Sequence, residues 1–421
     1  MELKFIKRSI FPTLKEHLLK QEITLIVGPR QVGKTTIMEA LRADAEKEGI
    51  ATLFLSLDFE SDKNFFTSQD ALIKKIQLEF GSKKGYVFID EIQRKEDAGL
   101  FLKGIYDKNL PYKFIISGSG SVELKEKVHE SLAGRKRLFE MSPVSFEEFA
   151  NFKTDYKYEG RLSDFFEIEK EKSLALLEEY LNFGGYPRVI LEDTVDQKSR
   201  TIDEIYRSYL EKDISFLLKV EKLDAFSSLV KILASQTGNI LNYTEIANTI
   251  GVSLPTVKNY IWYLEKTFII QLVRPFFKNP RKEITKSPTI YFYDLGLRNY
   301  ALGIFGQAAR PDDFGFIFQN LVFNTLNEKL RFTGNRLNFW RTKEMAEVDF
   351  VVNSNHLTLP IEAKYKDLGE ATVERSLRSF IQKYGSKKAW IVNKSFKGTS
   401  IIHDTKVEFL PYFELITKHI E

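Results

Sequence analysis

Gly28-Pro29-Arg30-Gln31-Val32-Gly33-Lys34-Thr35-Thr36 is the stretch on which the fold turns. It follows the apolar run Ile23–Val27 and opens a stretch of helical periodicity. The pattern GxxxxGK[ST] in a strand–loop–helix context describes a phosphate cradle. Glycines let backbone N–H groups approach an anion, and a helix N-terminus adds a favourable dipole. In such a loop the backbone of residues 28–36 wraps the phosphates and Lys34 reaches the β- and γ-phosphates. The Thr35 hydroxyl ligates Mg²⁺, and Thr36 supports the helix start.

Working outward, Thr52–Leu57, Tyr86–Ile89 and Lys113–Ile116 are further short apolar runs, separated by helical stretches. Buried parallel strands read this way, and the alternation predicts an α/β domain. The third run ends in Asp90-Glu91. Asp90 is placed to hold Mg²⁺ through water, and Glu91 to polarise an attacking water. The fourth ends in Ser117-Gly118-Ser119, so Ser117 or Ser119 is the polar residue set between the two motifs. Two arginines, Arg135 after Gly134 and Arg188 after Gly184-Gly-Tyr-Pro187, are candidates to meet the γ-phosphate, in one case or both from a neighbouring subunit. A surface or structural arginine is the alternative for each.

Bulk properties bound the rest. A chain of 421 residues exceeds one compact core, and roughly two to four domains are expected. Cysteine is absent, which excludes disulfides, thiolate nucleophiles and zinc ribbons. The five histidines form no paired metal spacing, so any metal is a hard cation held by carboxylate and phosphate. A net charge of +4 does not by itself point to nucleic acid. No apolar run approaches the roughly 18 residues of a membrane span, and no cleavable leader is evident. A cytoplasmic protein without membrane contact is expected.

The ordered run GPRQVGKTT, IDEIQ, ISGSGS, LAGR, SPVSFEEF, GGYPR and LEKDI resembles a family of prokaryotic AAA+ ATPases. Its members join an ATPase domain to a C-terminal domain long catalogued as of unknown function. The likeness extends from about Arg8 to Lys364. It implies an ATP- and Mg²⁺-dependent ATPase with a helical lid that forms homo-oligomers; rings of six are the usual AAA+ assembly by analogy.

Further along, Asn242-Tyr-Thr-Glu245 opens a short helix, Gly251 gives a turn, and Ser253 caps a second helix over Leu254–Glu265. The spacing resembles a winged helix-turn-helix, with Ile269–Phe277 and Thr289–Tyr293 as the wing. Thr256, Lys258 and Asn259 on the second helix, and Lys278, Arg281, Lys282 and Lys286 at the wing tip, are candidate DNA contacts. Tyr260, Trp262 and Tyr263 make that helix unusually aromatic, which fits packing on a protein partner instead.

Near the C-terminus, Glu347-Val-Asp349 and Ile361-Glu362-Ala-Lys364 resemble the PD-(D/E)XK nuclease pattern. Strand alternation puts Glu362 and Lys364 on one face. Asp349 and Glu362 would hold Mg²⁺, and Lys364 would activate water or stabilise phosphate charge. Related sequences carry an acid where Gln319 stands, while Arg341 and Lys343 keep the site basic. A nuclease and a retired nuclease fold serving as a binding module both remain open.

The expected fold class is α/β. Residues 1–145 form a P-loop AAA+ parallel-sheet core and 146–235 a helical lid and connector. Residues 236–310 form a winged helix-turn-helix and 311–421 an α/β restriction-endonuclease-like domain. The expected function is an ATP-driven motor or switch on DNA. The alternative is a regulatory NTPase whose C-terminal modules bind protein.

Overall fold

Short runs of β-branched, aliphatic and aromatic residues build β1 (Ile23–Gly28), β2 (Ala51–Ser56), β3 (Gly85–Asp90), β4 (Tyr112–Ser119) and β5 (Lys136–Glu140). They align in parallel in the order β2-β3-β4-β1-β5. Every residue of β1 is buried, as a central parallel strand requires. Helices Lys34–Lys47, Gln69–Phe80 and Ala98–Tyr106 make the crossovers after β1, β2 and β3. From β1 the chain crosses to β2, returns through β3 and β4, and only then places β5 on the other side of β1. The carboxyl end of β1 is therefore a topological switch point, where open α/β sheets bind ligands.

The structure is a computed structural model and describes residues 5–119, 131–209, 223–277, 279–307, 311–354 and 357–420. The chain divides into two units. The first is Met1–Val144 with Glu211–Leu217 and Trp262–Ile269; the second is Ser145–Leu210, Leu218–Ile261 and Ile270–Glu421. Among the described residues no helix is long and apolar enough to cross a membrane. The fold class is α/β, with a parallel-sheet core and a second sheet toward the C-terminus.

The second unit opens with helix Phe146–Lys153. Ser145 accepts from the Glu148 N–H while the Glu148 side chain returns to the Ser145 N–H, a full capping box. Its sheet contains β6 (Ile270–Pro275), β7 (Thr289–Phe292), β8 (Arg336–Arg341), β9 (Glu347–Asn353), β10 (Thr358–Lys364), β11 (Lys388–Asn393), β12 (Gly398–Ile402) and β13 (Thr405–Pro411). The order is β12-β13-β11-β10-β9-β8-β6-β7. Trp340 and Val351 face helix Arg375–Tyr384 through Leu377 and Phe380. Phe350, their neighbour by alternation, lies with Tyr291 and Phe323, whose rings stack at 4.4 Å.

One sequence expectation changes here. The pair β6–β7, expected to form the wing of a helix-turn-helix, is the end of this sheet, because β6 also runs parallel beside β8. Helix Pro280–Thr285 replaces the open wing tip.

Candidate functional site

The loop between β1 and helix Lys34–Lys47 is shaped by two glycines. A Cβ on Gly28 would lie 2.2 Å from the Met141 carbonyl oxygen, so no side chain fits. Gly33 takes φ +93°, a left-handed conformation open to glycine. Gln31 is also left-handed, and Val32 is fully buried. Lys34 is 6% exposed, and its Nζ donates to the carbonyls of Gly28 (3.1 Å) and Pro29 (2.7 Å). Its charge therefore sits inside the curl of the loop.

Asp90 ends β3 and is buried. The Thr35 hydroxyl donates to its Oδ2 at 2.8 Å, and the Ser117 hydroxyl donates to its Oδ1. Ser117, fully buried on β4, also accepts from the Glu91 N–H at 3.3 Å. One hydroxyl thus ties the two acids together. Of the two serines considered, Ser117 makes these contacts; the Ser119 side chain lies outside the described residues. Glu91 adopts φ +56°, uncommon for a non-glycine residue, and its Oε2 accepts from the Gln93 amide. Burial raises its carboxyl above the ordinary range; Lys34 pulls it down and Asp90 pushes it further up.

Within the first unit, Arg135 stands apart from the loop. The Arg135 carbonyl accepts from the Ile23 N–H, which fixes Arg135 at the amino end of β1 and β5. The phosphate loop leaves the carboxyl end, some 16–20 Å along the strand. Arg135 meets Asp107 at 2.7 Å. Arg188 belongs to the second unit, is exposed and pairs with Glu204 at 2.9 Å. Leu210–Ile214, the LEKDI run, lies outside the described residues.

A residue that sequence reading passed over completes the loop. Arg8 is 8% exposed and donates to the carbonyls of Val32 (2.9 Å), Ser142 (2.6 Å) and Pro143 (3.3 Å). A lone arginine in an N-terminal segment of scattered charge carries no motif, so no local signal identifies it.

Helix Tyr243–Ile250 is followed, through Gly251 at φ +67°, by helix Leu254–Lys266, of which the part up to Ile261 belongs to the second unit. Lys258 and Asn259 are exposed. Thr256 is not: it is half-buried and its hydroxyl meets Ser253 at 2.7 Å within the cap. Tyr260 is buried edge-on against Phe226 at 5.2 Å, so this aromatic is core rather than surface. Arg281, Lys282 and Lys286 are exposed, whereas Lys278 lies outside the described residues.

Asp349 lies on β9, and Glu362 and Lys364 lie on β10. Lys364 Nζ lies 3.5 Å from Glu362 and 2.8 Å from Glu374. Asp349 accepts from the Gln319 amide (3.0 Å) on one oxygen and from the Ala363 N–H (2.8 Å) on the other. Gln319 also donates to the Tyr291 hydroxyl at 3.1 Å. Arg341 pairs with Glu347 at 3.4 Å, so its charge is already partly matched, while Lys343 is exposed. Among the described residues no three acids or histidines gather as a metal cage. Glu362, 2% exposed, has only the Lys364 ammonium, 3.5 Å away, facing its Oε2, with no shorter hydrogen bond there. Two carboxylates already engaged in this way suit at most a Mg²⁺ that arrives with a phosphate, not one held by protein alone.

Burial pushes the Glu362 carboxyl up to about 8 and those of Asp349 and Asp294 up to about 6. Lys364 opposes the shift at Glu362, and N–H donors oppose the others. A folded pKa above the ordinary value gives stability that is present at low pH and lost as pH rises through the folded value. The second unit should therefore lose roughly several degrees of melting temperature between about pH 5 and 8. Glu362→Gln should flatten the upper part of that slope in a thermal-melt series. An unchanged slope would show that Glu362 is not the titrating group.

Three family models match in series: an AAA domain over residues 20–150, and two domains of unknown function over residues 174–308 and 314–414. Among curated proteins, the uncharacterized protein MJ1544 of Methanocaldococcus jannaschii is 27% identical over 86% of this chain and 79% of its own. The uncharacterized protein Rv2008c of Mycobacterium tuberculosis is 26% identical over 89% and 76%. Among solved structures, the Aeropyrum pernix ORC1 protein in complex with DNA has a TM-score of 0.32 and 14% identity. It spans 70% of this chain and 91% of that one. AMPPCP-bound DnaA from Aquifex aeolicus has a TM-score of 0.28 and 18% identity, over 62% and 90%. Residues 20–150 form a P-loop domain of AAA type, a conclusion resting on the loop, its acidic partner strand and the domain match together.

Proposed function

We propose that this chain binds and hydrolyses ATP and uses the cycle as a switch or motor on DNA. The observation that carries the ATPase reading is the closed set Thr35–Asp90–Ser117–Glu91 beside Lys34. Lys34 turns from the Gly28 and Pro29 carbonyls to the β- and γ-phosphates, a substitution of one set of oxygens for another. The backbone N–H groups of residues 30–36 orient the phosphates. Ser117 holds Asp90 and the Glu91 backbone in register, and Glu91 takes the proton of the attacking water. The Thr35 hydroxyl and Asp90, already adjacent, suit Mg²⁺, which when bound neutralises phosphate charge.

Arg135 lies at the far end of its own β1, so its route to a γ-phosphate is a neighbouring subunit's. That favours a homo-oligomer, with six subunits the expected number by analogy. Lys258, Asn259, Arg281, Lys282 and Lys286 offer exposed contacts to a DNA backbone. At the second acidic site Asp349 and Glu362 would hold a cation brought with the phosphodiester, and Lys364 would meet its charge.

A second reading, a regulatory NTPase that binds protein partners, draws on one observation. Gln319 fills the place of an acid with a neutral amide locked onto Asp349, which suits a binding module better than a nuclease. Steady-state ATPase rates with branched, duplex and single-stranded DNA, at low and moderate salt, separate the two. Stimulation by one DNA form, lost as salt rises, is the expected result. A flat response from an active ATPase would transfer the case to the protein-binding regulator.

A further inference from the structure

Arg8 does more than fill space beneath the loop. We propose that Arg8 is a positioning residue for the nucleotide phosphates, acting through the Val32–Gly33 peptide, and that it ties this peptide to the segment by which the chain leaves the first unit. The inference rests on the ATP-site reading above.

Peptide planarity is the physical basis. In a trans peptide the carbonyl and the following N–H point in opposite directions. The guanidinium holds the Val32 carbonyl at 2.9 Å, so the Gly33 N–H is turned to the opposite side. On the glycine side, this peptide has no side-chain packing of its own to fix the plane. Gly33 has no side chain and sits at φ +93°, and glycine passes between conformations at little cost. The same guanidinium reaches the Ser142 carbonyl at 2.6 Å and the Pro143 carbonyl at 3.3 Å.

That second contact is continuous with the loop's back wall. The Met141 N–H donates to the Val27 carbonyl at 2.7 Å. The Met141 carbonyl abuts Gly28, and its side-chain methyl would lie 3.6 Å from a Cβ on Gly33. Loop and exit segment therefore share one wall, and Arg8 is the fork that grips both. A planar fork spans acceptors on two segments; a lysine ammonium, a single point of charge, does not reproduce it.

ATP affinity and turnover are measured on wild type, Arg8→Ala and Arg8→Lys, with a fluorescent ATP analogue and steady-state kinetics. The expected result is a KM and analogue Kd raised roughly tenfold in Arg8→Ala, with kcat at saturation nearly kept. Low millimolar guanidinium should restore KM in Arg8→Ala but not in Lys34→Ala. Arg8→Lys should remain weak, and it carries the test by the same KM-against-kcat split if Arg8→Ala does not fold. Unchanged KM in a folded variant overturns the proposal. So does a parallel fall of KM-independent turnover and melting temperature with no guanidinium response, which marks a mere brace. Wild-type protein that neither binds nor turns over ATP sinks the underlying reading, and this one with it; wild type that binds while the variants match it sinks this one alone.

Discussion

Glu91→Gln should leave ATP bound and lower turnover by about 10²- to 10⁴-fold, the usual contribution of a general base. The amide keeps the size of the carboxylate and its contact with Gln93, but it accepts no proton. The backbone should hold, because the Glu91 N–H remains donated to Ser117 and φ stays in the left-handed region. The raised carboxyl adds a second signature. Turnover in the wild type should fall on the acid side as Glu91 protonates, above the ordinary glutamate range. The variant should lack that limb. Binding of a fluorescent ATP analogue beside kcat over pH checks both. Normal turnover would remove Glu91 from the base role, and lost binding would make it a loop support instead.

Lys34→Ala should weaken ATP binding by about 2–5 kcal/mol, or roughly 30-fold to several thousand-fold, the range for truncating one partner of a desolvated charge pair. The ammonium is nearly buried and its donors already face loop carbonyls, so phosphate oxygens meet it with little further desolvation. Alanine leaves those carbonyls unmatched and removes the local positive charge opposite the phosphates. The same change should also lift the Glu91 carboxyl further, since Lys34 is what pulls it down. Titration calorimetry with ATP gives the affinity, and a melt establishes that the variant is folded. An affinity within threefold of wild type would end the phosphate-cradle reading.

Part of this site is legible residue by residue. Gly28, Gly33, Lys34 and Thr35 fall at fixed spacing, and Asp90-Glu91 closes an apolar run, so local chemistry announces them. β5 is the strand that escapes: Lys136-Arg-Leu-Phe-Glu140 is mostly charged and lies at the sheet edge, where only one neighbour constrains it. The β6–β7 pair reads as a wing because alternation marks strands but not which sheet they join. The contact between the Thr256 and Ser253 hydroxyls is not legible from a helical position alone.

By itself the sequence determined the kinds of element and the chemistry at motif positions, because strand period, glycine turns and the phosphate loop are local in the chain. Tertiary packing set Ser117 between Asp90 and Glu91 and placed Arg135 at the amino end of β1, opposite its own loop. It also decided that Gln319 closes on Asp349 and that Arg8 grips Val32 and Ser142 together. Each of these contacts joins residues far apart in the chain, and hydrogen-bond geometry between distant segments is set by packing rather than by spacing.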